Sequence, residues 1–132
     1  MALRLLIVDD SDQFLEAARS LLERQGFEVV AVASTATQAV RTARELRPDV
    51  TLVDIDLGDE NGFDVARELT EAALPDPPRV VLISAYPEAD LHDFIAASPA
   101  VGFLPKSRLS ARALHDVLDQ RGPAGADTAQ GS

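Results

Sequence analysis

Short apolar runs alternate along the chain with segments whose apolar residues recur every three or four positions. The runs are nearly continuous, which is typical of strands buried on both faces of a sheet. They are Leu3–Val8, Val29–Ala33, Val50–Val53, Val80–Ile83 and Val101–Leu104. Because helical segments separate them, the pattern predicts parallel strands joined by right-handed crossovers, with helices on both faces of the sheet.

The intervening segments have the spacing of amphipathic helices. Their predicted core-facing residues are Phe14, Leu15, Ala18, Leu21 and Leu22; Ala36, Ala39, Val40, Ala43 and Leu46; Val65, Ala66 and Leu69; Leu91, Phe94 and Ile95; and Ala113, Leu114, Val117 and Leu118. Thr35 followed by Gln38 predicts a capping box at the start of the second helix. The fold class predicted is α/β, a five-stranded parallel, doubly wound (βα)5 sheet.

Length and composition are those of one globular domain. The 132 residues are 46% hydrophobic and 26% charged and contain no cysteine, which excludes disulfides and cysteine-ligated zinc. We expect the domain to span residues 1–121, because residues 122–132 are small or polar and predict a flexible tail. No apolar stretch approaches the roughly 20 residues of a membrane span, and no signal-peptide pattern precedes Asp9. We therefore expect a cytoplasmic protein without membrane contact.

The charge balance limits the partners of this domain. Twelve basic against 22 acidic side chains give a formal net charge of −10. Such a field repels phosphate backbones, so we expect no direct binding to nucleic acid. The same field attracts divalent cations and basic surfaces.

Polar residues follow four of the five predicted strands. Asp9 and Asp10 come after the first strand, Asp54 after the third, Ser84 after the fourth and Lys106 after the fifth. In open parallel sheets, ligands bind beyond the carboxyl ends of the strands. These five side chains are therefore expected to meet at one edge of the sheet.

That set of side chains suits phosphoryl chemistry. Close carboxylates repel one another, and a hard divalent cation, best Mg²⁺, relieves the repulsion. Asp54 beside such a metal can attack phosphorus to give an aspartyl-phosphate. The metal, Lys106 and the Ser84 hydroxyl can then each neutralise or bind one phosphoryl oxygen.

In these motifs the chain resembles the receiver domains of bacterial two-component response regulators, of the stand-alone, single-domain type. The resemblance covers about residues 3–121 and rests on Val8-Asp9-Asp10, Leu52-Val53-Asp54-Ile55-Asp56-Leu57, Gly62, Ile83-Ser84-Ala85 and Gly102-Phe103-Leu104-Pro105-Lys106. It implies a flavodoxin-like sheet with strand order 2-1-3-4-5.

The resemblance also implies a role for each site residue. It implies that Asp54 is the phosphoacceptor and that Mg²⁺ is held by Asp10 directly, by Asp9 through water, by Asp54 and by the backbone carbonyl of Asp56. Ser84 would be the switch hydroxyl, Lys106 the phosphate-binding lysine and Phe103 the switch aromatic. The apolar run around Phe103 is equally typical of a plain core aromatic.

The partners implied are a histidine kinase or a histidine phosphotransfer protein as donor. The signal would leave through the face formed by the fourth helix, fifth strand and fifth helix, whose candidate contact residues include Leu91, Asp93, Phe94 and Arg112. That face would contact a downstream protein that the sequence does not identify, or form a homodimer. The only catalysis expected is the domain's own phosphoryl transfer and slow self-dephosphorylation.

Two positions depart from the family pattern. Gly58 stands where a proline is usual, which we expect to loosen that loop. Ser107 stands where a proline usually follows the lysine with a cis bond. A non-proline cis bond costs about 3–4 kcal/mol, so the Lys106–Ser107 peptide is either strained or trans.

Asp56 and Tyr86 each lie two residues beyond a predicted site residue and are expected to tune the phosphoryl lifetime. The Tyr86 ring would exclude the water that hydrolysis needs, while Asp56 would orient that water or repel the phosphate.

Three other interpretations were weighed. Asp54-x-Asp56 also resembles aspartate-nucleophile phosphohydrolases, but in those enzymes the pair follows the first strand. A pseudo-receiver that only binds proteins is disfavoured because no acidic site residue is missing. The chain could also be the receiver part of a longer DNA-binding regulator, with Gly122–Ser132 as the start of a linker.

Overall fold

Five parallel strands form the centre of the protein. A computed structural model describes residues 2–71, 77–86 and 90–121, with the side chains of all of these except 120 and 121. The strands are β1 (Arg4–Val8), β2 (Glu28–Ala33), β3 (Val50–Asp54), β4 (Arg79–Ser84) and β5 (Gly102–Pro105). Their order in the sheet is β2-β1-β3-β4-β5, which confirms the predicted α/β fold and the 2-1-3-4-5 order.

The helices lie on both faces of this sheet. They are α1 (Asp12–Arg24), α2 (Ala36–Leu46), α3 (Gly62–Glu71), α4 (His92–Ala97) and α5 (Ala111–Arg121). One core lies between the sheet and α1 and α5, where Leu22 and Leu114 are fully buried. The other lies between the sheet and α2 and α3, where Ala39 and Leu69 are fully buried. Successive strand side chains enter opposite cores, as a strand buried on both faces requires.

Side-chain caps fix where α1 and α2 begin. The Ser11 hydroxyl accepts a hydrogen bond from the Phe14 N–H at 3.2 Å, and Thr35 Oγ1 accepts one from the Gln38 N–H at 3.1 Å. Gln38 Oε1 accepts from the Ser34 N–H at 2.9 Å. The predicted capping box thus forms, but its reciprocal bond reaches one residue further back than the motif requires.

The fourth helix differs most from its predicted packing. It has only six residues and none of them is buried. The apolar spacing predicted that Phe94 faces the core, whereas the predicted output face included it as a contact residue. Phe94 is 63% exposed, and the centre of its ring lies 5.7 Å from that of Phe63 in α3. Leu91 is the N-cap and lies outside the helix, so the three residues do not form one helical stripe, and of the three only Leu91 and Ile95 pack partly into the core.

A short hairpin follows β3 and was not predicted. Its strands are Asp56–Leu57 and Glu60–Asn61, paired antiparallel. Gly58 occupies the first position of its two-residue turn with φ +72°, a conformation that glycine adopts at no steric cost and proline cannot adopt. The residue that we expected to loosen this loop therefore allows a tight turn instead.

Two predictions concern residues at the edge of the described part. Residues 122–132 lie outside it, so the predicted tail and the boundary at 121 stay predictions. Within the described ranges, no helix is long and apolar enough to cross a membrane.

Candidate functional site

The carboxyl ends of the strands open into one small cleft. Its volume is about 210 Å³, and its lining residues are Asp9, Asp10, Ser11, Asp54, Asp56, Ser84, Ala85, Tyr86 and Lys106. We call this space the strand-end cleft. The structure therefore brings together every polar site residue that the sequence predicted.

Three carboxylates lie close together in the strand-end cleft. Asp9, Asp10 and Asp54 each place a carboxylate oxygen within 4.8 Å of the others. Asp9 is fully buried and Asp54 is 4% exposed, whereas Asp10 faces solvent. Asp9 is held by the Ser11 N–H, which donates to its Oδ1 at 2.9 Å.

Lys106 lies between the two buried carboxylates. Its Nζ is 2.6 Å from Asp9 Oδ2 and 3.2 Å from Asp54 Oδ2, and it lies 4.4 Å from the centre of the Phe14 ring. All described peptide bonds are trans, so the Lys106–Ser107 bond takes the trans path. The chain continues as a single 3-10 turn over Lys106–Arg108.

Burial and charge act on the ionisation of both partners. The pKa of Asp54 rises from 3.8 to about 6 because burial disfavours its charged form and Asp9 repels it, which together outweigh the attraction of Lys106. Burial alone would lower the pKa of Lys106. The hydrogen bond to Asp9 and the nearby carboxylate charges outweigh that effect and raise it. Lys106 is therefore a fixed cation in a cluster with a surplus of negative charge.

Ser84 and Asp56 are held by local backbone bonds. The Tyr86 N–H donates to Ser84 Oγ at 2.9 Å, so the Ser84 hydroxyl hydrogen remains for another acceptor. The Asp56 N–H donates to Asp54 Oδ1 at 3.2 Å. The Asp56 side chain is exposed and accepts from the Gly58 N–H at 3.3 Å.

Tyr86 and Phe103 lie in opposite environments. Tyr86 is 57% exposed at the mouth of the strand-end cleft, whereas Phe103 is only 7% exposed. Phe103 packs in the core on the α2 and α3 side and does not line the cleft.

The donor set fits a hard divalent cation. Three carboxylates converge on one space with one ammonium between two of them, and burial holds Asp54 at a raised pKa. Carboxylate and carbonyl oxygens are the ligands that Mg²⁺ prefers. Asp9, Asp10, Asp54 and the carbonyl of Asp56 are the groups available to hold it.

Comparison with known families accounts for this arrangement. A family model described as the response regulator receiver domain matches residues 5–119. The chain belongs to this family. The receiver domain is 35% identical over 109 residues to the protein-glutamate methylesterase/protein-glutamine glutaminase of Alkalilimnicola ehrlichii, a match that covers 80% of this chain and 27% of that protein.

Other relatives also extend beyond the receiver domain. The DNA-binding response regulator MtrA of Mycolicibacterium paratuberculosis is 44% identical over 69 residues, which are 52% of this chain and 30% of MtrA. The receiver domain thus matches about a third or less of the length of these two proteins. Among solved structures, the response regulator domain of Thermotoga maritima CheB has a TM-score of 0.75 and 26% identity, covering 92% of this chain and 97% of that one.

Sequence reasoning missed two neighbours of the strand-end cleft. Ser11 both caps α1 and fixes Asp9, and Phe14 supplies the ring beneath the Lys106 ammonium. A serine directly after Asp9-Asp10 and before an apolar helical pattern is an N-cap signal that could have indicated Ser11. Nothing in the sequence pairs Phe14 with a lysine more than 90 positions away.

Proposed function

We propose that this receiver domain is a phosphorylation-dependent switch that accepts a phosphoryl group on Asp54 from a histidine kinase or a histidine phosphotransfer protein, with Mg²⁺ as cofactor. The observation that supports it most directly is the convergence of Asp9, Asp10 and Asp54 with Lys106 in the strand-end cleft. A pseudo-receiver has no need for this costly concentration of buried charge.

The positions of the side chains support one role for each of them. One oxygen of Asp54 forms a bond to phosphorus as the phosphorus–nitrogen bond of the donor phosphohistidine breaks, and the histidine keeps the nitrogen electron pair. Lys106 leaves its contact with Asp54 to bind a phosphoryl oxygen, and the free hydrogen of Ser84 binds another. Asp10, Asp9, Asp54 and the Asp56 carbonyl would hold Mg²⁺, which would supply positive charge to neutralise the phosphoryl oxygens.

We further propose that the output passes through α4, β5 and α5. Ser84 ends β4 and pairs with Pro105 of β5, two residues beyond Phe103, so movement of its hydroxyl toward the phosphoryl group would act on the strand that carries Phe103. The Phe103 ring already lies in the core, and phosphorylation would stabilise that position. The exposed Phe94 ring of α4 packs against Phe63 of α3, so it borders this face on its α3 side.

The defining experiment is covalent labelling. Purified protein is incubated with Mg²⁺ and a small phosphodonor, and its intact mass is measured. We expect a gain of one phosphoryl group that is lost in Asp54→Asn and retained in Asp59→Asn, a matched change of an exposed carboxylate on the hairpin turn. A label that persists in Asp54→Asn, or that resides on His92 or His115, would contradict the proposal.

A second candidate is that the domain is part of a longer DNA-binding regulator. It is favoured by the similarity to MtrA, of which the aligned part is 30%. An immunoblot of source cells with an antibody to the domain distinguishes the two. A band near 14.1 kDa indicates a stand-alone receiver, and a much larger band indicates the longer regulator.

A further inference from the structure

Glu60 makes a long-range contact that the proposed phosphorylation chemistry does not use. Its Oε1 accepts a hydrogen bond from the Ala36 N–H at 2.8 Å, across 24 positions of sequence. Ala36 is the first residue of α2, and the first N–H groups of a helix have no partner within the helix. A carboxylate is also favoured at the positive end of the helix dipole. The hairpin is therefore tied to the start of α2.

The hairpin connects Glu60 to the strand-end cleft. Glu60 pairs with Leu57, and Asn61 pairs with Asp56, whose N–H donates to Asp54. The Gly62 N–H donates to the Ile55 carbonyl at 2.8 Å and closes the base of the hairpin. A displacement of Glu60 would therefore be passed through two residue pairs to the backbone of Asp56.

The turn of the hairpin also approaches Asp10. A Cβ atom built on Gly58 would lie 3.3 Å from Asp10 Oδ2, closer than most such contacts. Two of the proposed metal ligands therefore depend on the hairpin. The Asp56 carbonyl belongs to its first strand, and the Asp10 carboxylate lies beside its turn. Gly58 has no side chain that could hold the turn in place, so an anchor for the hairpin must come from another residue.

We propose that Glu60 is that anchor, a positioning residue that holds the hairpin against α2 and thereby keeps Asp56 and Asp10 in place to bind Mg²⁺. The inference rests on the proposed function, because it concerns the affinity of the same metal site. It assigns the effect to the hydrogen bond to Ala36 and not to the negative charge of Glu60.

The chain supplies its own reporter for the test. Tyr86 is the single tyrosine, there is no tryptophan, and Tyr86 lines the strand-end cleft. Its fluorescence during a Mg²⁺ titration measures the dissociation constant on the unphosphorylated protein, without a kinase or a phosphodonor. The variants are Glu60→Ala, which removes acceptor and charge; Glu60→Asp, which keeps the charge on a shorter arm; and Glu60→Gln, which keeps the acceptor without the charge.

Gln38→Ala is the matched control for α2. It removes a second long side chain that accepts a hydrogen bond near the start of this helix, here from the Ser34 N–H, and it leaves the hairpin intact. We expect Glu60→Ala and Glu60→Asp to raise the Mg²⁺ dissociation constant about three- to tenfold, the worth of one hydrogen bond. Glu60→Gln and Gln38→Ala should stay within about twofold of the wild type.

Each other pattern overturns the inference. Unchanged affinity in Glu60→Ala means that the anchor is irrelevant to the metal. Equal loss in Glu60→Gln and Glu60→Ala, with Glu60→Asp unaffected, means that charge acts instead. Equal loss in Gln38→Ala assigns the effect to α2 as a whole.

If the wild type itself fails to bind Mg²⁺, the proposed function falls as well, which distinguishes that failure from the others. Should Glu60→Ala fail to fold, Glu60→Asp against Glu60→Gln carries the comparison.

Discussion

Two opposing influences set the pKa of Asp54 in the folded protein. Burial and the charge of Asp9 disfavour its carboxylate, and Lys106 with the Asp56 N–H favours it. The disfavouring influences prevail, and the pKa rises to about 6. Since the unfolded chain has the ordinary value of 3.8, the folded protein loses stability whenever Asp54 is charged. The group that we propose as phosphoacceptor is thus held in a strained electrostatic state.

Removing that charge is expected to stabilise the protein. Above about pH 6 the folded Asp54 is ionised and the penalty is fully present, and it vanishes as the pH falls through 6 toward 4. Asp54→Asn should therefore raise the free energy of unfolding by about 1–3 kcal/mol near pH 8 without divalent cations, with little gain near pH 4. Lys106 keeps its contact with Asp9 in this variant, so no buried cation is left unpaired.

Urea unfolding at a series of pH values, with a chelator present, measures this difference. Asp116→Asn, an acid-to-amide change on the exposed side of α5, serves as the control and should show no such pH-dependent gain. A variant at Asp54 that is less stable than the wild type near pH 8 would show that the attraction of Lys106 outweighs burial.

Tyr86 is expected to set the lifetime of the phosphoryl group. Its ring is exposed at the mouth of the strand-end cleft, where it can exclude the water that must approach in line. Tyr86→Ala should therefore lose phosphate about tenfold faster, which requires only about 1.4 kcal/mol of barrier. Asp56→Asn should change the rate less, because an exposed, flexible carboxylate fixes water access less firmly than a ring.

The measurement is the decay of phosphate from purified phosphoprotein in excess Mg²⁺. An unchanged rate in Tyr86→Ala together with a strong change in Asp56→Asn would reverse the assignment.

At the scale of elements, the packing of α3 against the end of β3 depends on one glycine. A Cβ atom on Gly62 would overlap the carbonyl group of Asp54 and lie 2.6 Å from the Cα of Ile55. These are backbone atoms, which cannot rotate away as a side chain can. Because Gly62 has no side chain, α3 can begin in close contact with the backbone of Asp54 and Ile55.

Gly62→Ala is expected to destabilise the protein by about 1–3 kcal/mol or more, although alanine is the better helix former. Chemical denaturation of the variant measures the loss. Glu71→Ala, an exposed position on the same helix, provides the matched substitution and should stay within about 0.5 kcal/mol of the wild type. Equal stability of Gly62→Ala and the wild type would mean that α3 shifts without cost.

At the scale of the whole molecule, the field of the protein favours cations at the strand-end cleft. The formal net charge is −10, and Lys106 is the one lysine of the sequence. A cation bound there stabilises the folded state by mass action, because the unfolded chain does not assemble the three carboxylates.

Mg²⁺ is therefore expected to raise the melting temperature of the wild type. At ten times its dissociation constant, the gain is about 1.4 kcal/mol, or several degrees for a domain of this size. Asp10→Asn should abolish the shift, and Asp116→Asn should retain it. Differential scanning calorimetry measures these shifts. Equal shifts in the wild type and in Asp10→Asn would show that Asp10 is not a metal ligand.

The sequence by itself determined the architecture and which residues share one edge of the sheet. Runs such as Val50–Val53 are apolar without interruption because both faces of the strand are buried, and this local pattern predicts the strand without knowledge of its neighbours. Parallel strands present their carboxyl ends at the same edge, so the positions of Asp9, Asp54, Ser84 and Lys106 after their strands already implied that they meet. Boundaries were less well predicted, and α3 begins at Gly62, three residues before Val65, the first core-facing residue that its apolar spacing predicted.

Only the tertiary structure decided how those residues contact one another and what supports them. The short contact of Lys106 with Asp9, the outward position of Phe94 and the bond from Ala36 to Glu60 join distant parts of the chain. Such contacts depend on how helices and turns pack around the sheet, and the spacing of residues along the sequence does not predict that packing. The hairpin is the intermediate case. Gly58-Asp59 is a local turn signal, but its value to the strand-end cleft comes from Glu60, which reaches α2 only in the folded protein.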